Sequence, residues 1–249
     1  RDLLAAWPDA VWLSSMTSEP QAFRNKAKMV VGGTADAPTL GILDASQHGV
    51  DLSECGVLTL GLRQAFDPIK TFITLARIVP YDVPARRGEL KHVLLTESTD
   101  GALMLRFVLR STEAIERMRK HLPSLLAQLP NVVLVTANLL PEHKAVLEGD
   151  EEIALSGGET LPMRVGNLVL HLRPASFFQT NTEIATGLYA QAREWIDETS
   201  AQSVWDLYCG VGGFALHGLM RPNGTPRDVL GVEVSAEAVQ SARAAAAEL

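Results

Sequence analysis

Apolar and polar positions alternate along Phe23-Arg24-Asn25-Lys26-Ala27-Lys28-Met29-Val30-Val31, the two-residue period of a half-buried strand. Gly32-Gly33 breaks the run, and Thr39-Leu40-Gly41-Ile42-Leu43 reads as its hairpin partner. Ala65 to Ile78 has helical spacing. His92–Glu97 and Leu103–Leu109 read as two strands joined by the hairpin signal Asp100-Gly101. Glu113 to Leu129 is patterned as an amphipathic helix. Asn131–Leu139, Ala145–Gly149 and Leu168–Leu172 are predicted strands, and residues 1–7 read as the end of a helix. From Ile184 the pattern becomes helix, strand, turn, helix, strand. That change predicts a boundary near 165–180, with a mixed α+β unit over 1–170 and the first part of an α/β, Rossmann-like unit over 171–249.

Composition narrows the class. Of 249 residues, 47% are apolar and 20% charged, which suits a globular protein with a substantial core. Runs such as Val132-Val133-Leu134-Val135 are too short to cross a bilayer, so no membrane association is expected. The amino terminus lacks a signal peptide's apolar stretch, which makes the cytoplasm the expected compartment. The first residue is Arg1 and a helical pattern still runs at Ala247-Glu248-Leu249, so the chain is expected to be part of a longer protein. A net charge of −7 argues against indiscriminate polyanion binding but leaves a local basic face possible. Two cysteines, Cys55 and Cys209, are too few for a disulfide framework or a complete zinc site, and the histidines form no H-x-x-x-H or H-x-E pair.

The densest motif is Val204-Trp205-Asp206-Leu207-Tyr208-Cys209-Gly210-Val211-Gly212-Gly213-Phe214: a strand, a glycine-rich turn, then a helix. Asp228–Val234 follows as a second apolar strand, with Glu233 near its carboxyl end. This order builds the nucleotide crevice of a doubly wound sheet. Gly210 and Gly212 let a ligand approach the main chain, and Glu233 stands where such folds hold a ribose diol. The third glycine of a dinucleotide fingerprint is missing, and no lysine of a phosphate loop is present. What remains, Asp-x-x-x-Gly-x-Gly, resembles motif I of S-adenosylmethionine-dependent methyltransferases; a tight turn without a ligand is the alternative.

Just ahead stands Ser176-Phe177-Phe178-Gln179-Thr180-Asn181. Exposed aromatics can stack on unstacked bases and amides can read base edges, as in single-stranded RNA recognition. The same residues also suit a buried Phe pair with Asn181 as a helix N-cap.

Together with Phe23–Val31, Arg87-Gly88-Glu89-Leu90-Lys91, Leu94–Ser98, Met104–Arg110 and His143–Gly149, these motifs resemble the RNA uracil-C5 methyltransferase family over nearly the whole chain. The bacterial 23S rRNA enzymes match best. The resemblance implies S-adenosylmethionine as cofactor, contacted at Gln179, Tyr208 and Glu233 beside the Gly210–Gly212 turn. Asp206 either orders that turn or approaches the methionine end of the cofactor. It also implies a cysteine nucleophile for uracil C6 and a glutamate base, in motifs expected after Leu249. Cys209 falls in the cofactor turn and reads as a packing residue. Cys55 matches one of four cysteines that hold a [4Fe–4S] cluster in relatives; the other three would precede Arg1. Arg24, Lys26, Lys28, Arg86, Arg87 and Lys91, with Phe177 and Asn181, are the expected RNA contacts. The implied substrate is a single-stranded or loop uridine of 23S rRNA, taken by a monomer. A tRNA enzyme or a non-catalytic RNA-binding module remains the rival reading.

Overall fold

The computed structural model describes residues 11–144 and 146–249. The helical end expected over 1–7 lies outside them. Strands β1 (Lys26–Gly33), β2 (Pro38–Leu43), β3 (Gly49–Asp51), β4 (Leu90–Glu97), β5 (Leu103–Leu109), β6 (Val132–Leu139) and β7 (Glu151–Gly157) form one sheet in the order β3-β2-β1-β4-β5-β6-β7. Every pairing is antiparallel except β5 with β6, which run parallel. A parallel pair needs a crossover, supplied here by helix α2 (Ile115–Gln128). Helix α1 (Leu60–Leu75) connects β3 to β4.

The alternation read from the sequence sets the layers. Ala27, Met29 and Val31 of β1 point into a core shared with Val93 and Leu95 of β4, Leu105 and Phe107 of β5, and Val135 and Ala137 of β6. Phe66, Ile69, Phe72 and Ile73 give α1 its apolar stripe, and Met118, Leu122 and Leu125 do the same for α2. Each large side chain fully removed from water contributes about 1.5–3 kcal/mol, so this double contact fixes the register of β1. On the open face of the sheet, Lys28 is exposed and Lys26 half-buried.

A short hairpin, β8 (Leu161–Val165) and β9 (Leu168–Leu172), leads to α3 (Thr182–Glu198), β10 (Ser203–Leu207), α4 (Gly213–His217), β11 (Asp228–Val232) and α5 (Ala236–Ala246). Strands β10 and β11 are parallel, with Asp206 opposite Gly231. The hairpin joins the core of the second unit: Leu161, Met163, Val165, Leu170 and Leu172 pack with Phe178, Tyr189, Val211, Leu216 and Ala238. Met104 and Leu134 of the large sheet join the same cluster, as does the hairpin that lies ahead of the division expected between 170 and 171.

Three strands escaped the pattern. β3 is only three residues long, and the edge strand β7 has no fully buried position, so neither carries a clear period. β8 alternates Leu161, Met163 and Val165 inward, but Pro162 obscured it. Conversely, Val146 to Gly149 is not a strand; Gly149 is held instead by the Asn138 side chain. Ala145 lies outside the described residues.

Candidate functional site

The glycine turn is a closed hydrogen-bonded unit. Tyr208 and Cys209 both donate their amides to the Val232 carbonyl, at 2.8 and 3.1 Å, which ties the end of β10 to the end of β11. Beyond them Gly210 has φ +54° and Gly212 φ +88°, both in the left-handed region that glycine tolerates. Tyr208 reaches φ +67° without that freedom, a strained backbone of the kind that concentrates at functional sites. Its ring stands 90% exposed beside the turn.

Two carboxylates brace the turn from below. Asp206 Oδ2 accepts the Ala215 amide at 2.9 Å, so the acid does order the loop and the start of α4. Burial pushes its carboxyl above the usual range, only partly opposed by that bond. Glu233 accepts from Ser235 N–H at 2.7 Å and Gly210 N–H at 3.0 Å. These donors, Ser235 foremost, hold its carboxyl below the usual range and keep it ionised.

Cys209 behaves as a packing residue. Its sulfur lies against Gly231, where an added Cβ would meet it at 2.9 Å. Burial, then the charges of Asp206 and Glu233, push the thiol up, the opposite of what a nucleophilic thiolate requires. Close packing fixes the other side of the turn: a Cβ on Gly213 would come within 2.5 Å of Tyr189, whose ring meets Phe214 edge-on at 4.7 Å. Tyr189 thus packs against the start of α4.

The Ser176–Asn181 loop divides its two aromatics. Phe178 is buried in the second core, whereas Phe177 is 71% exposed beside exposed Gln179. The buried pair read from the sequence is therefore not formed: one ring is buried and the other faces solvent. Asn181 caps α3, accepting from Ile184 N–H at 3.1 Å, and its amide donates to Ser18 at 2.7 Å. Its side chain is spent on structure, not presented to RNA.

The basic residues separate too. Lys26 and Lys28 share the open face of β1, while Arg24 folds back to the Lys26 carbonyl at 3.0 Å. Arg86 and Arg87 are exposed in the turn before β4. Lys91 departs from expectation: a register shift between Leu90 and His92 turns it aside, and its amine is buried on the carbonyls of Leu140 and Glu142, both at 2.6 Å, over the Tyr81 ring. Two of its three ammonium hydrogens are thus committed to the main chain, away from the exposed face of β1.

Among the described residues no group of three or more His, Cys, Asp or Glu side chains gathers. Cys55 is a single thiol packed at the edge of the first core, one donor where a [4Fe–4S] cluster needs four. The residues present do not fit that group.

Comparison with known proteins falls in line with this geometry. Over 96% of its length the chain is 50% identical to the 23S rRNA (uracil(747)-C(5))-methyltransferase RlmC of Halothiobacillus neapolitanus, and covers 62% of it. Over its whole length it is 48% identical to the enzyme of that name from Cronobacter sakazakii, covering 66%. The chain is a relative of the RNA uracil-C5 methyltransferases. It spans under two thirds of the length of these relatives. The fold agrees with that of Pyrococcus abyssi tRNA (uracil-54, C5)-methyltransferase, solved with S-adenosyl-L-homocysteine, at TM-score 0.73 and 22% identity over 92% of this chain and 53% of that one. No family model matches the chain. Among the described residues no helix is long and apolar enough to cross a membrane.

Sequence reasoning missed Asn25. The signal was available: it holds the inward phase of Asn25, Ala27, Met29, Val31, where a polar residue demands a partner.

Proposed function

We propose that the protein transfers the methyl group of S-adenosylmethionine to C5 of a uridine in 23S rRNA. The observation that carries this reading is the braced turn Asp206–Glu233, set in a chain half identical to named uracil-C5 methyltransferases. Gly210 and Gly212 leave the main chain open to the cofactor, Glu233 would accept from its ribose hydroxyls, and Tyr208 and Gln179 would flank it. The cofactor supplies an electrophilic methyl. The chain's own residues position it and exclude water; Phe177 offers a face on which an extruded base can stack.

Lys26, Lys28, Arg86 and Arg87 would position the RNA backbone without reading its sequence. No nucleophile is assigned within residues 1–249, because the Cys209 thiol is half-buried and raised; attack on C6 would fall to a part of the relatives that this chain does not span. The cytoplasmic location and monomeric state expected from the sequence go with this reading.

The test is methyl transfer from labelled S-adenosylmethionine, using the full-length protein with 23S rRNA fragments and tRNA in parallel. Labelled 5-methyluridine in rRNA alone is expected. Label only in tRNA would move the substrate assignment, and binding of RNA and cofactor without transfer would leave a non-catalytic module.

A further inference from the structure

Asn25 lies ahead of β1 in the mixed unit, 6% exposed, and reaches across to the loop that precedes α3. Its Nδ2 donates to the Gln179 carbonyl at 3.1 Å and to Thr182 Oγ1 at 2.6 Å, while its main-chain N–H donates to the Thr180 carbonyl at 2.8 Å. Its own carbonyl accepts from Glu97 N–H at 2.8 Å, which anchors it to the end of β4. Next to it, Arg24 pairs with Asn181 as a short antiparallel bridge. Residues 24–25 therefore form a clip on residues 179–182. Lys26 and Lys28 follow directly on the same strand.

We infer that Asn25 is a positioning residue: from the RNA-facing unit, it sets the Gln179 loop at the distance and tilt the cofactor needs. The inference rests on the methyltransferase reading for Gln179. Both amide hydrogens of Asn25 are used, so no other side chain of its size reproduces the pair. Losing it leaves the Gln179 carbonyl and the Thr182 hydroxyl without their donor, and the exposed Gln179 side chain free to wander. Phosphate contacts on Lys26 and Lys28 are untouched, so cofactor and RNA affinity should respond differently.

The experiment compares full-length wild type with Asn25→Ala and Asn25→Asp. Cofactor affinity is measured by calorimetry, RNA affinity by filter binding, and turnover by methyl transfer. Asn25→Ala is expected to weaken S-adenosylmethionine binding about tenfold, the scale of one or two lost buried hydrogen bonds, with RNA affinity within about twofold of wild type. Asn25→Asp places a carboxylate against the Gln179 carbonyl at neutral pH, whereas its protonated form has one O–H and can restore one of the two bonds. Its cofactor affinity relative to wild type should therefore rise as pH falls, a profile that mere destabilisation does not produce. Unchanged cofactor affinity in folded Asn25→Ala overturns the inference, as does equal loss of RNA and cofactor affinity. If Asn25→Ala fails to fold, a flat pH profile for Asn25→Asp overturns it alone. A wild type that binds cofactor but methylates no RNA refutes the parent reading while cofactor affinity still decides the clip.

Discussion

Glu233 and Gly210, one on each arm of the glycine turn, are joined by a 3.0 Å bond from the amide of the glycine to the carboxylate. The acid that would hold the cofactor's ribose thus also holds the loop that approaches it. Removing it strikes twice. Glu233→Ala should lower S-adenosylmethionine affinity on the order of tenfold or more, whereas Glu233→Gln, which keeps an acceptor for Gly210, should lose less. Calorimetry on the two variants decides this; equal losses would show that loop order contributes nothing.

Lys26 gives a pH test of the RNA face. Burial, then the neighbouring charges of Lys28 and Arg106, bring its pKa down to about 8. A phosphate nearby would favour the charged form, so RNA binding should take up a proton and weaken as pH rises through that value. Buffers of different ionisation enthalpy will report the proton. Lys26→Arg, which stays charged, should bind RNA without this pH dependence.

His92 governs acid stability. Burial first, and Lys91 second, lower its pKa to about 4, and its Nδ1 has no partner among the described residues. The folded protein therefore keeps the ring neutral while the unfolded chain protonates near pH 6.5. Its contribution is complete above that pH and is lost as pH falls toward 4, a change of roughly 3 kcal/mol at most. Urea unfolding at pH 7 and pH 5 should show a steeper acid loss in wild type than in His92→Gln.

Arg106 is a structural charge. It is buried on the face of the sheet away from the first core, its Nε 2.9 Å from Glu152, with Glu148 and Asn138 completing the cluster. Arg106→Leu removes the buried partner of two carboxylates that water still reaches and should cost about 1–3 kcal/mol. Double replacement with Glu152→Leu should recover part of that loss, which a thermodynamic cycle will measure.

The sequence showed most of what repeats and little of what reaches across. β1 and α2 were legible because one face of each meets a continuous core, and β4, β5 and β6 because burial on both faces leaves a nearly unbroken apolar run. β7 sits at an edge, where neither face is fully buried, and stayed invisible. In the site, Gly210, Gly212 and Glu233 were legible as a local motif whose parts touch each other. Lys91 was misjudged because a one-residue register shift cannot be seen from one strand alone. Asn25 was overlooked because its partners lie 154 and 157 residues away.

That distance gives the clip a place in time. The sheet with α1 and α2 buries one core, and the hairpin with α3 to α5 buries a second that also takes in Met104 and Leu134 of the sheet. The side-chain bonds of Asn25 span 154 and 157 residues and join polar groups. Long closures form late, and small polar seams open first under native conditions. The amides of Asn25 and Thr182 should then exchange hydrogen faster than those of β4 or β5, and recover protection last on refolding. A newly made chain would be folded before it is ready to hold its cofactor.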